Sequence, residues 1–482
     1  MGPLLACAVL VLATAGRAQV RNYSAAQADT ILAEVHRALL EYHPFAHRGN
    51  GRARLDSAYA ALRASLPAAL SGDSVDQQRL IVHAAGFNRL IGDGHLQLRP
   101  VLDSVYLRLR DRHAYGLHTR HVRSGAYVLL DSLYLSDSTL VPRGAEWIGL
   151  DGRDAGEVVA ELGAFFGVDD HGNAAARELY PAYSPMTYYQ RVYGLLDSVA
   201  ARFEVDGALI SGFLVPHPRE VGGEASGRRE RRRRRRARLA RGISLDTTAA
   251  AGIYALSIRS FSKSGLGSAN AYRRVRRLFA RLDSLDARGL VIDVRNNTGG
   301  SADLVDHVFG FIADERYALT ERTTGHSRRA KGRNIFERSG NVLIGGVRPD
   351  GEGGYYVKRA GKTKRPKARR RRFTGPVVVL VNEITFSGGT VLAHYVQHYR
   401  RGLVVGQVPG GSAERMYARD LFEVYVGPDD ELRINMPLWY MDMIGEARGN
   451  VRPDVVVPRT RADILAERDA ALEVAIELLQ SE

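Results

Sequence analysis

Cysteine is nearly absent from this sequence: of its 482 residues, Cys7 alone is a cysteine. Cys7 lies in the apolar segment Pro3–Gly16 at the N-terminus. If that segment is removed, the remaining chain has no thiol, which excludes disulfides and cysteine-ligated metals. Long apolar runs are also missing, since no later segment approaches the roughly 20 residues that a membrane-spanning helix needs.

The apolar segment is typical of an export signal. Small residues at Gly16 and Ala18 fit a cleavage site, so residues 1–18 are predicted to be a signal peptide that leaves a mature chain starting near Gln19. The mature protein is then periplasmic or secreted. No Lys or Arg precedes the segment, so a membrane anchor is an alternative, although about 14 residues is short for a span. A lipoprotein site at Cys7 is disfavoured because almost no apolar run precedes it.

The positive charge is concentrated in two short tracts. Residues 228–241 contain ten Arg and one Glu, and residues 358–372 contain ten Lys and Arg and no acid. Because the formal net charge of the whole chain is +15, the remainder is slightly acidic. This pattern predicts two solvated, self-repelling insertions and no nucleic-acid-binding surface. The alternative role for the tracts is contact with an anionic surface.

The first part of the mature chain, residues 19–104, is predicted to be a helical domain. Apolar residues recur at helical spacing in three stretches, Ala25–Leu40, Leu55–Leu66 and Leu80–Leu90. The sequence Gly92-Asp93-Gly94-His95 then breaks the helix and turns the chain. An alternating stretch from His95 to Leu98 follows and favours a strand.

The middle of the chain is predicted to be a β segment (105–168) and a connecting region (169–249) that carries the first basic tract. Residues 141–152 resemble the turn and strand of a PDZ-like module, which takes up extended peptides by strand addition. An unrelated β-hairpin is the alternative. Tyrosines cluster between residues 180 and 193, where a core role is expected.

Residues 250–482 are predicted to form an α/β domain with parallel pairing, because strands and helices alternate. The predicted strands are Ile253–Ile258, Leu290–Val294, Pro376–Val381 and Leu403–Val405, and the predicted helices are Asn270–Leu285, Asp303–Phe311 and Gly388–Tyr399.

Two turns in this last domain carry candidate chemistry. One turn, residues 293–301, contains Gly299 and Gly300, whose N–H groups at a helix start suit an anion or half of an oxyanion hole. The other places Ser387 before Gly388 at the start of the next helix, where a nucleophile and an oxyanion donor fit. Taken singly, each turn has a structural alternative: a strand-to-helix connection for the first and an N-cap serine for the second.

Together, the two turns resemble a known family. Asp293-Val294-Arg295-Asn296-Asn297-Thr298-Gly299-Gly300 is similar to the Asp-x-Arg-x-Asn-x-Gly-Gly signature of the S41 serine peptidases, and Thr385-Phe386-Ser387 to their nucleophile turn. The family includes C-terminal-processing, tail-specific and tricorn-like proteases. The resemblance covers residues 250–460 and implies a ββα-spiral catalytic domain like those of Clp peptidases and crotonases.

The resemblance also implies the partners of the serine. One plan of the family uses a lysine about 25 residues later, but this chain has no lysine after Lys367. The other plan uses a histidine from an Asp-Gly-His element, which here implies His95 as the base. Its late acidic position implies Glu446, with Asp442 as the substitute. Gly94 departs from this plan, which often has a serine there.

The expected activity is therefore hydrolysis of unfolded or tail-exposed polypeptides by an exported serine endopeptidase without metal or cofactor. Ser387 is the expected nucleophile, and Gly388 with Gly299 or Gly300 supplies the oxyanion hole. The alternatives are an inactive peptide-binding protein of the same fold, a crotonase-type acyl-CoA enzyme, and a polyanion-binding envelope protein. The oligomeric state does not follow from the sequence.

Overall fold

The computed structural model describes most of the chain after residue 20. The described residues are 21–100, 113–164, 176–193, 196–218, 242–262, 268–318, 320–326, 346–351, 354–358, 361–367, 372–428, 430, 432–445 and 449–481. The predicted signal peptide 1–18, the basic tract 228–241 and Glu446 lie outside these residues, and the second basic tract lies partly outside them.

Helices dominate the first described part of the chain. They are α1 (Ala25–Tyr42), α2 (Gly51–Ala69), α3 (Gln77–Ala84) and α4 (Gly86–Ile91), with a 3₁₀ turn at Pro44–His47 and strands β1 (Asn22–Ser24) and β2 (Ser74–Asp76). A capping box between Ser24 and Gln27 starts α1. The single helix predicted over 80–90 is broken at Ala85, and a Cβ on the next residue, Gly86, would come within 2.6 Å of Leu62 in α2.

The next part is built on a six-stranded sheet. The described strands of this part are β3 (Gln97–Pro100), β4 (His113–Ala114), β5 (Thr119–His121), β6 (Tyr127–Leu129), β7 (Leu133–Tyr134), β8 (Leu140–Val141), β9 (Glu146–Leu150), β10 (Arg153–Asp154), β11 (Val199–Val205), β12 (Ala208–Leu214) and β13 (His217–Pro218), and six of them form this sheet. The sheet order is β12-β11-β9-β6-β5, with β10 paired to β9. Helices α5 (Ala155–Ala164), α6 (Ala176–Tyr183) and α7 (Pro185–Tyr193) accompany this sheet. A PDZ-like role for it stays a prediction.

The last part contains the predicted parallel sheet. Its strands are β14 (Ile243–Ala250), β15 (Ile253–Ile258), β16 (Gly289–Asp293), β20 (Val377–Val381), β21 (Leu403–Gly406) and β24 (Val455–Val456), in that order across the sheet. Only the β14–β15 pair within this sheet is antiparallel. Strands β16 and β20 are buried throughout, as continuous apolar runs in a parallel sheet require. The α/β prediction is thus confirmed at the level of a mixed α/β architecture.

Helices cover both faces of this sheet. One face packs against α8 (Ser268–Ser284), α9 (Ala302–Phe309) and α10 (Gly388–His398), and the other against α12 (Ala470–Gln480), which follows the short α11 (Arg461–Leu465). The predicted bounds of α8, α9 and α10 are within two residues of those observed. Among the described residues, no helix combines the length and apolar character needed to cross a bilayer.

A second sheet in this part also includes a strand from the first part of the chain. Its strands are β17 (Thr320–Gly325), β18 (Val347–Pro349), β19 (Tyr355–Val357), β22 (Arg415–Val426) and β23 (Leu432–Met443). The N-terminal strand β3 pairs with β23 in antiparallel register, from Gln97 opposite Asn435 to Pro100 opposite Leu432. The helical part is therefore tied to the α/β part by backbone hydrogen bonds.

The Asp-x-Arg pair of the first turn holds the C-terminal helix. Arg295 donates through Nε to Asp293 Oδ1 at 2.9 Å and through Nη1 to Asp469 Oδ1 at 2.6 Å. Asp469 also caps α12 by accepting from the Leu472 N–H. Burial alone raises the pKa of Asp469, but the hydrogen bonds from Arg295 bring it below its ordinary value. Asp469 is therefore a charged link between a strand end and the last helix.

Replacing this carboxylate should loosen the helix. We expect Asp469→Asn to lower the free energy of unfolding by about 1–2 kcal/mol, because a cap and a charge-assisted pair are weakened together. Urea unfolding of the full chain measures the change. Glu477→Gln, on an exposed carboxylate of the same helix, is the matched control and should change little. Equal stability of the two variants would contradict the role given to Asp469.

Candidate active site

The two turns singled out in the sequence lie side by side. They follow β16 and β20, which are adjacent parallel strands with Ile292 opposite Val379. Hydrogen bonds join the turns: Thr385 Oγ1 donates to the Val294 carbonyl at 2.9 Å. The carboxyl ends of adjacent parallel strands meet at one edge, which is where α/β proteins usually place their sites.

Ser387 sits at the tip of the second turn in an unusual backbone conformation. Its φ of 49° and ψ of −121° are rare for a residue with a side chain. It occupies the N-cap position of α10, yet its side chain makes no capping hydrogen bond. The hydroxyl instead faces His95 and lies 3.8 Å from Met416 Sδ. The N-cap alternative therefore does not describe this hydroxyl.

His95 lies beside Ser387 although 292 residues separate them in sequence. The distance from His95 Nε2 to Ser387 Oγ is 3.3 Å. His95 precedes β3 by two positions, so the pairing of β3 with β23 holds it at the edge of the sheet. The side chain of His95 is 17% exposed, and Ser387 is 9% exposed. The pair forms a recessed, water-poor contact.

Asp93 is the carboxylate nearest to His95. Its Oδ1 accepts from the His95 backbone N–H at 2.8 Å and lies 3.5 Å from His95 Nδ1. Its Oδ2 lies 3.0 Å from Nε2 of His43, and the side chains of Asp93 and His43 are fully buried. Burial alone raises the pKa of Asp93, but hydrogen bonds from His43 and His95 bring it below its ordinary value. Asp93 is therefore an ionised carboxylate inside the protein.

Gly299 of the first turn approaches the serine closely, whereas its neighbour Gly300 packs against the backbone of Phe261. A Cβ on Gly299 would lie 2.5 Å from Ser387 Cβ, and the φ of Gly299 is +100°, so a side chain is excluded on both counts. The Gly299 N–H donates to Asn297 Oδ1 at 2.8 Å. Within the described part of the chain, the N–H groups of Gly300 and Gly388 donate to no acceptor. Both donors therefore remain available, and Gly388 directly follows Ser387 in the chain.

Gly94 is required by an aromatic side chain of the nucleophile turn. A Cβ at Gly94 would come within 2.2 Å of Phe386 Cζ. The same ring packs against His95, with centroids 5.2 Å apart, and edge-on to Tyr180. Tyr180 also donates to the Ile384 carbonyl at 3.1 Å. The departure from the serine of the tricorn-like pattern thus has a steric reason, since Phe386 fills that space.

A buried arginine connects the six-stranded sheet to both turns. Arg120 on β5 donates through Nη2 to Asn296 Oδ1 at 2.7 Å, and its Nε lies 3.7 Å from Glu383 Oε1. Its guanidinium stacks over the ring of Tyr183 at 3.9 Å. Burial lowers the pKa of Arg120, and the charge of Glu383 opposes that shift. The middle part of the chain therefore contributes directly to the walls of the site.

Of the two acidic residues implied by the resemblance, only Asp442 lies among the described residues. Glu446 lies outside the described residues. Asp442 lies on β23, 3.7 Å from Arg48 Nη2, and burial raises its pKa. In the described ranges, no group of three or more His, Cys, Asp or Glu side chains is arranged to hold a metal ion.

Sequence reasoning missed three side chains at this site and interpreted a fourth too narrowly. Asp93 belongs to the quoted turn but was assigned only a role in breaking the helix. No local sequence motif identifies His43 or Arg120, because each contacts the site through a hydrogen-bond partner at least 50 positions away. Tyr180 falls in the tyrosine cluster that was expected to be core, but it contacts the nucleophile turn.

The contact at Gly94 gives a stability prediction. We expect Gly94→Ala to destabilise the protein by about 1–3 kcal/mol, because the added methyl overlaps Phe386 in a packed region. Gly156→Ala is the matched control, since a Cβ there meets nothing within 4 Å. Urea unfolding compares the two variants, and a Gly94→Ala protein as stable as the control would refute the steric argument.

Comparisons with known proteins identify a family match and two similar structures. The sequence model of peptidase family S41 matches residues 252–457. The crystal structure of mature CPAF is similar to this chain with a TM-score of 0.66 at 14% identity, covering 95% of this chain and 98% of that one. A complex of mature CPAF with lactacystin gives a TM-score of 0.65 at 15% identity, with 95% and 99% covered. No curated protein matches the sequence.

The structural similarities establish the shared fold, and the family match covers both strand-end turns. Residues 252–457 include the glycine turn, Ser387 and strands β15 to β24 of the parallel sheet. We conclude that residues 252–457 are a peptidase family S41 domain and that the protein is a serine-type peptidase.

Proposed function

We propose that the protein is an exported endopeptidase that cleaves unfolded or tail-exposed polypeptides, with Ser387 as nucleophile and His95 as general base. The observation that carries this proposal is the 3.3 Å distance between His95 Nε2 and Ser387 Oγ. A hydroxyl needs a base within hydrogen-bond reach to become a nucleophile near neutral pH. The strained φ of Ser387 supports the same role, because strain of this kind clusters at functional sites.

The tautomer of His95 follows from its two neighbours. To accept the Ser387 proton, Nε2 must be unprotonated, so Nδ1 carries the hydrogen and faces Asp93 Oδ1 at 3.5 Å. Proton transfer to Nε2 lets Ser387 Oγ attack the scissile carbonyl carbon. The resulting imidazolium is stabilised by the buried negative charge of Asp93.

Backbone donors stabilise the tetrahedral intermediate. The Gly388 N–H begins α10, where the helix dipole favours negative charge, and Gly300 supplies the second N–H. Gly300 is favoured over Gly299, whose N–H is already bound to Asn297. His95 then protonates the leaving amine, and water hydrolyses the acyl-enzyme by the same proton transfers in reverse order.

The recessed position of the pair supports an extended substrate. Because Ser387 is only 9% exposed, the surface of a folded protein would have difficulty bringing a peptide bond to its hydroxyl. A flexible or unfolded segment can enter such a site in extended form. The resemblance to tail-specific proteases supports the same class of substrate.

The roles of the pair are tested by substitution. We expect Ser387→Ala and His95→Ala each to lower the kcat/KM for casein by about 10³-fold or more. Ser284→Ala and His217→Ala, at exposed positions, are matched controls that should cleave at the parental rate. Cleavage that survives His95→Ala but not Ser387→Ala would discard the base and keep the nucleophile.

Export is tested separately. Expressed as the full chain in a bacterium, the protein should be recovered from the periplasm or medium with Gln19 as its first residue. N-terminal sequencing of the recovered protein gives the answer. Retention in the cytoplasm with an uncleaved N-terminus would contradict export and leave the catalytic proposal unaffected.

A further inference from the structure

A line of buried polar groups continues from His95 into the helical part of the chain. Asp93 Oδ1 lies 3.5 Å from His95 Nδ1, and Asp93 Oδ2 lies 3.0 Å from His43 Nε2. The side chains of Asp93 and His43 have no exposed surface. The proposed mechanism uses His95 and the charge of Asp93, and it assigns nothing to His43.

The backbone fixes the protonation state of His43. The Phe45 N–H donates to His43 Nδ1 at 3.1 Å, because His43 caps the 3₁₀ turn Pro44–His47. A nitrogen that accepts a hydrogen bond carries no proton, so in the neutral ring the proton is on Nε2. Nε2 then donates to Asp93 Oδ2. His43 is therefore a neutral donor whose direction is set by the turn.

This donor determines how Asp93 is oriented. A buried carboxylate is costly unless its oxygens accept hydrogen bonds. His43 holds Oδ2, which leaves Oδ1 directed toward the backbone N–H and Nδ1 of His95. Without the His43 donor, the carboxylate could rotate or take up a proton, and the orientation of His95 would no longer be specified.

The ring of His43 is itself held by an aromatic neighbour. It packs against Tyr417, with ring centroids 5.0 Å apart. Tyr417 lies on β22 immediately after Met416, whose sulfur is 3.8 Å from Ser387 Oγ. The strand that borders the nucleophile therefore also locks the residue at the far end of the polar line.

We propose that His43 is a positioning residue: by donating to Asp93, it orients His95 so that Nε2 faces Ser387. This inference rests on the proposed function of Ser387 and His95. His43 touches neither the serine nor the path of the substrate, so its effect is on the reaction step and not on substrate binding.

Two isosteric substitutions separate its two hydrogen bonds. His43→Gln can place an amide N–H near the position of Nε2 and keep the donor to Asp93, but it loses the acceptor for Phe45. His43→Asn can place a carbonyl oxygen near Nδ1 and keep the acceptor, but it loses the donor. Both are compared with the parent for casein cleavage, for labelling of Ser387 by a fluorophosphonate, and for urea unfolding.

We expect His43→Asn to have a kcat at least tenfold below that of His43→Gln, with KM values within about threefold of each other. The labelling rates per folded molecule should follow the kcat values. Equal kcat values, or the reverse order, would overturn the proposal and assign His43 to the Phe45 turn alone. A parent that is neither labelled nor active would refute the proposed function instead.

A second set of variants serves if His43→Asn folds poorly. Asp93→Asn removes the buried negative charge, so in that background the loss of the His43 donor destabilises the protein less. If His43 acts only through the carboxylate, Asp93→Asn with His43→Gln and Asp93→Asn with His43→Asn should be labelled at the same rate. A tenfold difference between these double variants would contradict transmission through Asp93.

Discussion

The antiparallel pairing of β3 with β23 is the contact on which the site depends. The serine, the glycine turn and the parallel sheet all come from the last half of the chain, whereas His95 comes from the first fifth. Four residue pairs, from Gln97 opposite Asn435 to Pro100 opposite Leu432, bring these parts together. Backbone pairing of this kind fixes the position of the chain more firmly than a side-chain contact between two domains would.

Charged side chains with little exposed surface link the turns of the site to other parts of the chain. Arg295 links a strand end to α12, Arg120 links the six-stranded sheet to both turns, and Asp93 stands behind His95. A buried ion is weak evidence for stability, because apolar packing often serves as well. The arrangement is better understood as specifying geometry, since each group fixes the direction of a turn that borders Ser387.

The sequence predicts the α/β part well because its signals are local. Continuous apolar runs identify β16 and β20, helical spacing identifies α8, and the glycines identify the turns. The periodicity of apolar residues cannot predict the contact between His95 and Ser387. Only the resemblance of short motifs to a known family indicates it. The contact between His43 and Asp93 was missed because the two residues are 50 positions apart, and no rule of sequence spacing connects them.

The glycine at position 94 shows the same limit at a smaller scale. As a sequence feature, it is a helix breaker and a departure from a family pattern. In the structure, it is the space that the ring of Phe386 occupies. The glycine of one turn and the aromatic ring of the other therefore depend on each other sterically, and neither residue can be interpreted alone.

Strand β23 follows both turns of the site in the sequence, and this order affects when the site can form during synthesis. Synthesis proceeds from the N-terminus, and contacts between distant segments form late because closing a large loop costs entropy. Residues 432–435 must be made and must pair with residues 97–100 before this sheet contact can help to hold His95 beside Ser387. A nascent chain that ends before β23 therefore contains Ser387 without the backbone pairing that places His95 beside it. This order of events delays the assembly of the candidate site until β23 has been made.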